Sequence, residues 1–344
     1  MSFQYKKTWS FSIFTLSTPS PQAFKTICLG FMVLCTCFIL SLTLGHYGLS
    51  FERLMMAFTN QGTPFEQWVL WSSRLPRALT AIGVGAALGL SGAVFQTITK
   101  NPLGSPDLIG INASASAGAL LWLSFMSEQE AWIGACLGTL TLIIFLGFQM
   151  RHTSYTSHHL IVLGIVVNAF CVALVQFMLS LVRREEALQL LSYLNGSLAY
   201  KDWSDVALIM SLLVLVLPCF FALSKRVSLI SHDIETVQAL GVSVRKTYGL
   251  LFFLATLLAI VSVLIVGPVS FIALIAPHLA RFGSSQTALM RSAVLGALLL
   301  LMADTLSLVI PSPQRIPIGI LTALLGGLYL FLLLLKQRNA THQN

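Results

Sequence analysis

The residues that could carry out chemistry in this chain are few, and their spacing forms no catalytic set. The sequence contains no GxxxxGK[ST] phosphate-binding loop, no HExxH zinc motif and no GxSxG nucleophile motif. Three histidines, His152, His158 and His159, lie in one short polar turn without a carboxylate or thiol, so we interpret that turn as solvated rather than metal-binding. The six cysteines lie in apolar runs without a CxxC pair and are predicted to be buried free thiols.

Carboxylates within the apolar runs are just as scarce. Asp304 is the acid that falls well inside such a run. A carrier driven by protons or sodium usually needs carboxylates in its membrane spans, although each charge costs about 2.5–3.5 kcal/mol at a helix centre on insertion scales. One acid is weak support for ion coupling, so the sequence favours an energy source on another protein.

The elements that position these residues follow from composition. Of 344 residues, 56% are apolar and 9% are charged, whereas a soluble domain carries about 25% charged residues. The length has room for about eight to ten helical spans and for no separate globular domain. Because the apolar runs are continuous, an outer-membrane barrel is excluded. We therefore predict an all-α polytopic membrane protein with about ten transmembrane helices.

The apolar runs divide the chain into a cytoplasmic tail at 1–24, a single transmembrane domain at 25–336 and a second cytoplasmic tail at 337–344. Prolines flank and interrupt the segment near 270–282, which predicts a short or broken helix. The predicted spans are 26–45, 69–99, 110–125, 131–150, 159–182, 205–223, 250–267, 270–282, 289–310 and 316–335.

The charged residues indicate the orientation. The net charge of +8 is dispersed and forms no patch typical of nucleic-acid binding. With both termini in the cytoplasm, thirteen of the 20 Lys and Arg residues fall inside, which satisfies the positive-inside rule. The seven that fall outside are Arg53, Arg74, Arg77, Arg183, Arg184, Lys201 and Arg315.

Two connections have the composition of shaped surfaces. Arg74 and Arg77, three residues apart, share one helical face and could bind carboxylates of another protein, although interfacial anchoring would explain them equally well. The inside connection at 100–110 contains Asn101, Pro102 and Asp107 among two prolines and two glycines, which predicts a rigid turn.

The longest inside loop, at about 228–249, predicts two short helices. Ser231 can cap the first, Asp233 and Glu235 lie in its first turn, Gln238 lies on one face and Gly241 ends it. The second helix carries Arg245 and Lys246. Such a helical pair is suited to dock on a soluble partner, and a solvated loop is the alternative. Further along the chain, His278 is predicted to form structural hydrogen bonds rather than to bind a ligand.

Taken together, these segments resemble the family of bacterial ABC-importer permeases that carry iron-siderophores, haem and vitamin B12. The resemblance spans about 70–335. The motifs that carry it are Arg74-Leu-Pro-Arg77, Gln96 with Asn101-Pro102-Leu103, Leu240-Gly241, Gly267-Pro268, Ala276-Pro277-His278-Leu279-Ala280-Arg281, Ala303-Asp304 and Ile316-Pro317-Ile318-Gly319.

The resemblance implies a type II importer permease with ten helices in the bacterial cytoplasmic (inner) membrane. It implies a cytoplasmic ABC ATPase dimer that binds ATP and Mg²⁺, with no cofactor on this chain. It also implies a second permease subunit, with a heterodimer favoured over a homodimer, and a periplasmic or lipoprotein siderophore-binding protein. Nucleic acid is not expected as a partner.

The family's functional residues carry over by motif. Arg74 and Arg77 match the outer arginines that engage glutamates of the binding protein, and 231–246, including Leu240, matches the helices seated on the ATPase. The structural or translocation motifs hold Asn101, Pro102, Asp107, Pro277, His278, Arg281 and Asp304. Many relatives have another outer arginine after the Ala-Asp pair. Here that place holds Ser307, and Arg315 is the candidate replacement.

Within the family, segments 104–107 and 326–329 look most similar to the second permease subunit of ferric-enterobactin importers, which implies a ferric siderophore of the catecholate type. An importer of the same family that carries haem or vitamin B12 remains an alternative. An ion-coupled secondary transporter and an intramembrane enzyme are the alternatives from other classes.

Overall fold

The computed structural model of the chain describes residues 21–45, 48–125, 131–152, 157–181, 194–230, 244–281, 288–310 and 316–341. All regular structure in these ranges is helical, as predicted. A π-helical turn, Val69–Arg74, joins α3 to α4. The helices are α1 Pro21–Thr43, α2 Phe51–Phe58, α3 Pro64–Trp68, α4 Leu75–Ile98, α5 Ile111–Phe125, α6 Ala131–His152, α7 Ser157–Leu181, α8 Trp203–Ile230, α9 Val244–Val266, α10 Ile272–Arg281, α11 Ala288–Val309 and α12 Ile318–Thr341.

Six helical segments in the described ranges are long and apolar enough to cross a membrane: Pro64–Thr99, Ala131–Gln149, Val162–Leu181, Trp203–Leu223, Thr247–Val266 and Leu289–Val309. Four shorter apolar helices, in α1, α5, α10 and α12, complete the bundle. The short helix expected near 270–282 is α10, which has ten residues and contains Pro277. The ten-span count itself stays a prediction.

The segment before α4 is more structured than the polar connection that the sequence indicated. Helix α2 begins after Ser50, whose side chain accepts a hydrogen bond from the Arg53 amide. Helix α3 begins with a capping box, in which the Glu66 carboxylate accepts from the Thr63 amide at 2.9 Å and the Thr63 hydroxyl accepts from the Glu66 amide at 3.3 Å. Helices of eight and five residues are too short for a clear hydrophobic period, so the sequence did not show them.

Helix α4 lies at the centre of the bundle, and most of its residues are buried. It runs antiparallel to α11, because Gly85 lies against Gly296 and Gly89 lies against Ser292. A Cβ atom at Gly89 would collide with the Ser292 carbonyl, so glycine is required for the two backbones to approach this closely.

Helix α1 runs parallel to α11. Gly30 lies beside Val294 near one end of the bundle, and Gly45, just after α1, lies beside Leu308 near the other. All six cysteines are free thiols, as predicted, but the expectation that they are buried was wrong for Cys28, Cys35 and Cys219, which are exposed. Cys171 is buried and Cys37 and Cys136 are partly buried, whereas the three exposed cysteines lie on helix faces that the rest of the chain does not cover.

Candidate functional site

The strongest polar contact in the bundle joins Arg77 of α4 to Asp304 of α11. Arg77 Nη2 donates to Asp304 Oδ1 at 2.7 Å, and Arg77 Nε donates to the same oxygen at 2.9 Å and to Oδ2 at 3.1 Å. Only 8% of Arg77 and 1% of Asp304 are exposed. Such a buried guanidinium–carboxylate pair is geometrically specific, and removal of either partner leaves an uncompensated charge.

Ser307 completes this cluster. Its hydroxyl accepts a hydrogen bond from Arg77 Nη2 at 3.2 Å and donates to the Asp304 carbonyl one turn earlier at 2.7 Å. The residue that stands where many relatives are expected to have an arginine therefore supports the guanidinium of Arg77. We call this part of the bundle, where α1 and α11 end and α4 begins, the ion-pair end.

Arg74 contacts the neighbouring helix end. Its Nη1 donates to the Leu42 carbonyl near the C-terminus of α1, where carbonyl groups lack helical partners and a positive charge is favourable. Gly45 follows α1 and has a φ angle of +128°. It packs against the Arg74 guanidinium, because a Cβ atom at this position would be 3.3 Å from Arg74 Nη2. Arg74 is partly exposed, in contrast to Arg77.

These positions bear on the expectation that both arginines bind another protein. Arg77 is bonded inside the chain, so a partner's carboxylate would have to join or replace Asp304. Arg74 retains exposed surface at the ion-pair end. The docking roles of both residues stay predictions, and Arg315 lies outside the described residues.

Two further side chains tie α4 to other helices. Ser91 Oγ donates to the Ala255 carbonyl of α9 at 2.7 Å, and Gln96 Nε2 donates to the Leu274 carbonyl of α10 at 3.0 Å. The ring of Phe95 packs edge-on against Phe252 of α9, with centroids 5.5 Å apart. Helix α4 is therefore bonded to three helices along its length, at the ion-pair end, the middle and the far end.

The turn between α4 and α5 is held by its own hydrogen bonds. Asn101 Oδ1 accepts from the Leu103 amide at 2.9 Å, and the Asn101 carbonyl accepts from the Gly104 amide at 3.0 Å. Lys100 and Gly110, at its two ends, adopt positive φ angles of 50° and 89°. The prolines and glycines indicated a rigid turn, and the structure shows a turn closed by its own hydrogen bonds, while its rigidity stays a prediction.

Asp107 lies at the inner side of that turn. Its Oδ1 accepts from Asn112 Nδ2 at 2.6 Å, and the carboxyl also accepts from the backbone amide of Phe271, which precedes α10. Although the residue as a whole is partly exposed, its carboxyl lies inside the protein, and this burial raises its pKa to about 7 despite the Phe271 amide. Asn112 also donates to the Val269 carbonyl at 3.4 Å, so the turn, α5 and the segment before α10 meet here.

The Ile-Pro-Ile-Gly motif, near the start of α12, is hydrogen-bonded to the segment that precedes α8. The Ile318 amide donates to the Gly196 carbonyl at 3.1 Å, and the Gly319 amide donates to the Asn195 carbonyl at 2.9 Å. The next residue, Ser197, donates from its amide to the Val266 carbonyl at the end of α9, at 2.7 Å. The segment before α8 therefore bridges α9 and α12.

Helix α10 carries the proline–histidine motif. Pro277 is buried, and the His278 ring contacts Tyr329 of α12 edge-on, with centroids 5.8 Å apart. Arg281 is exposed in the last turn of α10. The contact with Tyr329 agrees with a structural His278, although its hydrogen-bonding role stays a prediction.

An aromatic cluster near the ion-pair end was not anticipated from the sequence. Trp203 Nε1 donates to the Trp71 carbonyl at 2.9 Å, and the Trp71 ring contacts Phe58 edge-on at 5.7 Å between centroids. These three residues are exposed, which suits the boundary between membrane and water. Isolated aromatics in a sequence do not reveal that they cluster, because their partners lie on different helices.

Several predicted residues cannot be placed. Ser231, Asp233, Glu235, Gln238, Leu240 and Gly241 lie outside the described residues. Arg245 and Lys246 belong to the first turn of α9, and nothing is described of their side chains. Within the described ranges, no group of three or more His, Cys, Asp or Glu side chains could hold a metal ion.

A bundle of apolar helices with polar groups bonded to one another in its interior defines a polytopic membrane protein. The chain belongs to the FecCD transport family, whose sequence model matches residues 33–336. That match covers the ion-pair end, the turn between α4 and α5, and α10.

Individual relatives support this assignment. The chain is 36% identical over 268 residues to the ferric enterobactin transport system permease protein FepG of Escherichia coli, covering 77% of this chain and 81% of that protein. It is 33% identical to the Fe(3+) dicitrate transport system permease protein FecD of the same organism, covering 89% and 97%. A solved structure described as an inward-facing, metal-chelate type ABC transporter superposes with a TM-score of 0.79 at 29% identity, covering 91% and 99%.

Proposed function

We propose that the chain is the permease subunit of an ATP-binding-cassette importer that moves a ferric siderophore across the cytoplasmic membrane. The observation that carries the proposal is the match along nearly the whole chain to permeases named for transport of ferric enterobactin and ferric dicitrate. The sequence has no phosphate-binding loop of its own, so ATP hydrolysis is assigned to partner subunits. A catecholate siderophore is the finer proposal, supported by the relative that carries enterobactin.

The state of Asp304 favours this proposal over an ion-coupled carrier. A proton or sodium relay needs a carboxylate that can exchange its partner during transport. Asp304 accepts three hydrogen bonds from Arg77, and only 1% of the residue is exposed. Protonation of this carboxyl would leave the Arg77 charge uncompensated, so the pair is suited to a structural role.

The assembly that we propose has partners at both ends of the bundle. A periplasmic or lipoprotein siderophore-binding protein docks at the ion-pair end, and a cytoplasmic ATPase dimer docks at the segment 228–249. A second permease subunit, different in sequence, completes the translocation path. With this orientation both termini lie in the cytoplasm, in agreement with the thirteen-to-seven distribution of basic residues.

The mechanism then needs no reacting group on this chain. Docking at one end and ATPase closure at the other favour different packings of the helices, and the bonded helices transmit the change. Residues of α4 contribute by holding α9, α10 and α11 in register, through Ser91, Gln96 and Arg77 respectively.

The test is uptake into proteoliposomes that hold the purified complex and enclosed ATP. Ferric complexes of a catecholate, a hydroxamate and citrate are compared with haem and vitamin B12. Uptake of a ferric complex that persists with an uncoupler and stops without ATP supports the proposal. Uptake that follows an ion gradient and ignores ATP contradicts it, and uptake of haem or vitamin B12 alone contradicts the siderophore assignment.

A further inference from the structure

Helix α2 presents an apolar stripe that the bundle leaves largely exposed. Phe51, Met55 and Phe58 are spaced four and three residues apart, so their side chains lie on one side of the helix. They are 58%, 45% and 37% exposed. Leu54 and Ala57, on the adjoining side, are buried against the bundle. Helix α2 therefore has two apolar sides, and only one of them packs on protein.

The opposite side of α2 is polar along the same length. Glu52 and Arg53 are exposed near the start of the helix, and Thr59 is exposed at its C-terminal end. Met56, also exposed, is the apolar exception on this side. Because the boundary between apolar and polar residues runs along the helix axis, it matches a lipid–water boundary to which the helix lies parallel. A helix of eight residues, about 12 Å long, is also too short to cross a membrane.

Backbone contacts hold α2 beside the end of α1. The Leu49 amide, just before α2, donates to the Thr43 carbonyl, the last residue of α1, at 3.2 Å. At the other end of α2, the Gly62 amide donates to the Met56 carbonyl at 3.0 Å, and a Cβ atom at Gly62 would lie 3.1 Å from the Ala57 backbone. The loop to α3 therefore folds back tightly on α2, and α2 occupies the interval between the end of one apolar helix and the start of the next.

Aromatic contacts connect the exposed stripe of α2 with the surface that meets lipid. The Phe58 ring contacts Trp71, and the Trp203 ring lies beside Trp71 with centroids 6.4 Å apart. Trp203 is the first residue of the candidate span Trp203–Leu223, and Trp71 lies near the start of the candidate span Pro64–Thr99. Tryptophan is enriched where membrane spans meet water. The stripe is therefore continuous with the surface of two spans at the depth of the lipid headgroups, which favours lipid over protein as its occupant.

The charges of this segment do not select a lipid by its headgroup. Between residues 48 and 68 the charged side chains are Glu52, Arg53 and Glu66. Arg53 Nη1 lies 3.8 Å from the Glu66 carboxylate. A segment that binds anionic lipid through its charge carries a cluster of Lys and Arg, and this segment has a single arginine. Contact with lipid therefore depends on the burial of apolar side chains.

We propose that α2 lies in the membrane interface, parallel to the membrane surface, with Phe51, Met55 and Phe58 among the lipid acyl chains near their headgroups. Glu52 and Arg53 face water. The occupant of the stripe is the phospholipid bilayer, whatever the charge of its lipids. This contact holds the ion-pair end at a fixed depth in the membrane.

The test is photo-crosslinking from single positions on α2. The photoreactive residue p-benzoyl-phenylalanine replaces Phe51, Met55 or, as the control on the polar side, Glu52. Each variant is irradiated in intact cells, where the natural partners are present, and again after purification with whatever subunits co-purify and reconstitution into vesicles. Mass spectrometry of the α2 peptide identifies the adduct. We expect phospholipid adducts at positions 51 and 55, with yields at least about fivefold above position 52. Position 55 decides the question if the variant at position 51 does not fold.

Vesicles of phosphatidylcholine with and without phosphatidylglycerol should give equal yields of lipid adduct. A yield that requires phosphatidylglycerol would overturn the proposal, and so would equal lipid yields at positions 51, 55 and 52. Adducts of positions 51 and 55 with another protein, or with a distant segment of this chain, in place of phospholipid would also overturn it, because protein would then cover the stripe. The experiment needs neither cargo nor ATP, so its failure and the failure of the uptake experiment are distinguishable.

Discussion

Arg77 and Asp304, 227 residues apart in the chain, are joined by three hydrogen bonds of 2.7–3.1 Å. The contact joins the start of α4 to the last part of α11, and it is almost fully buried. In an apolar bundle with 9% charged residues, two opposite charges that neutralise each other also fix the axial register of the helices that carry them.

Breaking this pair from one side should be severe. Arg77→Gln leaves the Asp304 carboxylate buried without its cation, so we expect a loss of about 3–5 kcal/mol in the free energy of unfolding, measured by denaturant titration in detergent. The double variant Arg77→Met with Asp304→Leu should lose less than the single variant. Arg53→Gln removes an exposed arginine whose guanidinium lies 3.8 Å from the Glu66 carboxylate, and it should cost less than about 1 kcal/mol. Equal losses in Arg77→Gln and Arg53→Gln would contradict a buried pair.

The two arginines at the ion-pair end should differ in docking. Arg74→Glu reverses a partly exposed charge and is expected to raise the Kd for the binding protein about tenfold or more. Lys25→Glu makes the same change at the opposite end and serves as the control. Surface plasmon resonance with immobilised complex measures both variants.

For Arg77, the exchange variant Arg77→Asp with Asp304→Arg keeps an ion pair but moves the cation to α11. We expect this variant to bind the binding protein as wild type does, because the guanidinium of Arg77 is already bonded inside the chain. A loss as large as that of Arg74→Glu would instead show that Arg77 contacts the partner directly.

The segment 228–249 should carry the coupling to the ATPase. Replacing Glu235 and Arg245 together with alanine is expected to abolish ATP-dependent uptake while the complex still binds its binding protein. Lys25→Ala, at the same end of the bundle, is the control. Intact uptake in the double variant would remove the coupling assignment.

The close contact of α4 with α11 should not tolerate a methyl group. Gly89→Ala places a Cβ atom against the Ser292 carbonyl, so we expect about 1–3 kcal/mol of destabilisation. Gly147→Ala is the matched control, because a Cβ atom at Gly147 of α6 meets nothing within 4 Å. It should be neutral or stabilise the helix by up to about 1 kcal/mol. Equal melting temperatures in the two variants would contradict the observed packing.

Asp107 should make stability depend on pH. Its pKa is about 7 in the folded chain and about 4 in an unfolded one, so the folded state holds more protons between these values. Stability contributed by this group therefore falls as pH rises from about 4 to about 7 and is lowest above that range. Asp107→Asn keeps the acceptor for Asn112 and cannot ionise. We expect it to raise the melting temperature at pH 8 and to have little effect at pH 5, and the reverse order would refute the assignment.

Helix positions could be predicted from this sequence because apolar runs and prolines mark where each helix lies, without information from the rest of the fold. The predicted spans at 131–150 and 289–310 nearly coincide with α6 and α11, and Pro268 and Pro277 marked the short α10. Membrane spans are favourable cases, since each must be apolar along its whole length. The short amphipathic α2 carried too little periodic signal to be seen.

Side-chain partners could not be predicted in the same way. The spacing of Arg74 and Arg77 predicted that they share one helical face, yet nothing in the local sequence distinguished the buried residue from the partly exposed one. The difference depends on Asp304, which arrives from α11 only when the bundle forms. Likewise, Asp107 looked like an ordinary turn residue until Asn112 and the Phe271 amide surrounded its carboxyl.

The bonds along α4 also bear on how this protein changes shape. Arg77, Ser91 and Gln96 tie the helix to α11, α9 and α10, and each tie is buried. Separating any of these helices would strand a polar group in an apolar medium, which is costly where no water can replace the lost bond. Helices α4, α9, α10 and α11 should therefore travel as one rigid body through a transport cycle. The helix surfaces that move past one another during transport should then lie elsewhere in the bundle, where no buried polar side chain bridges the helices.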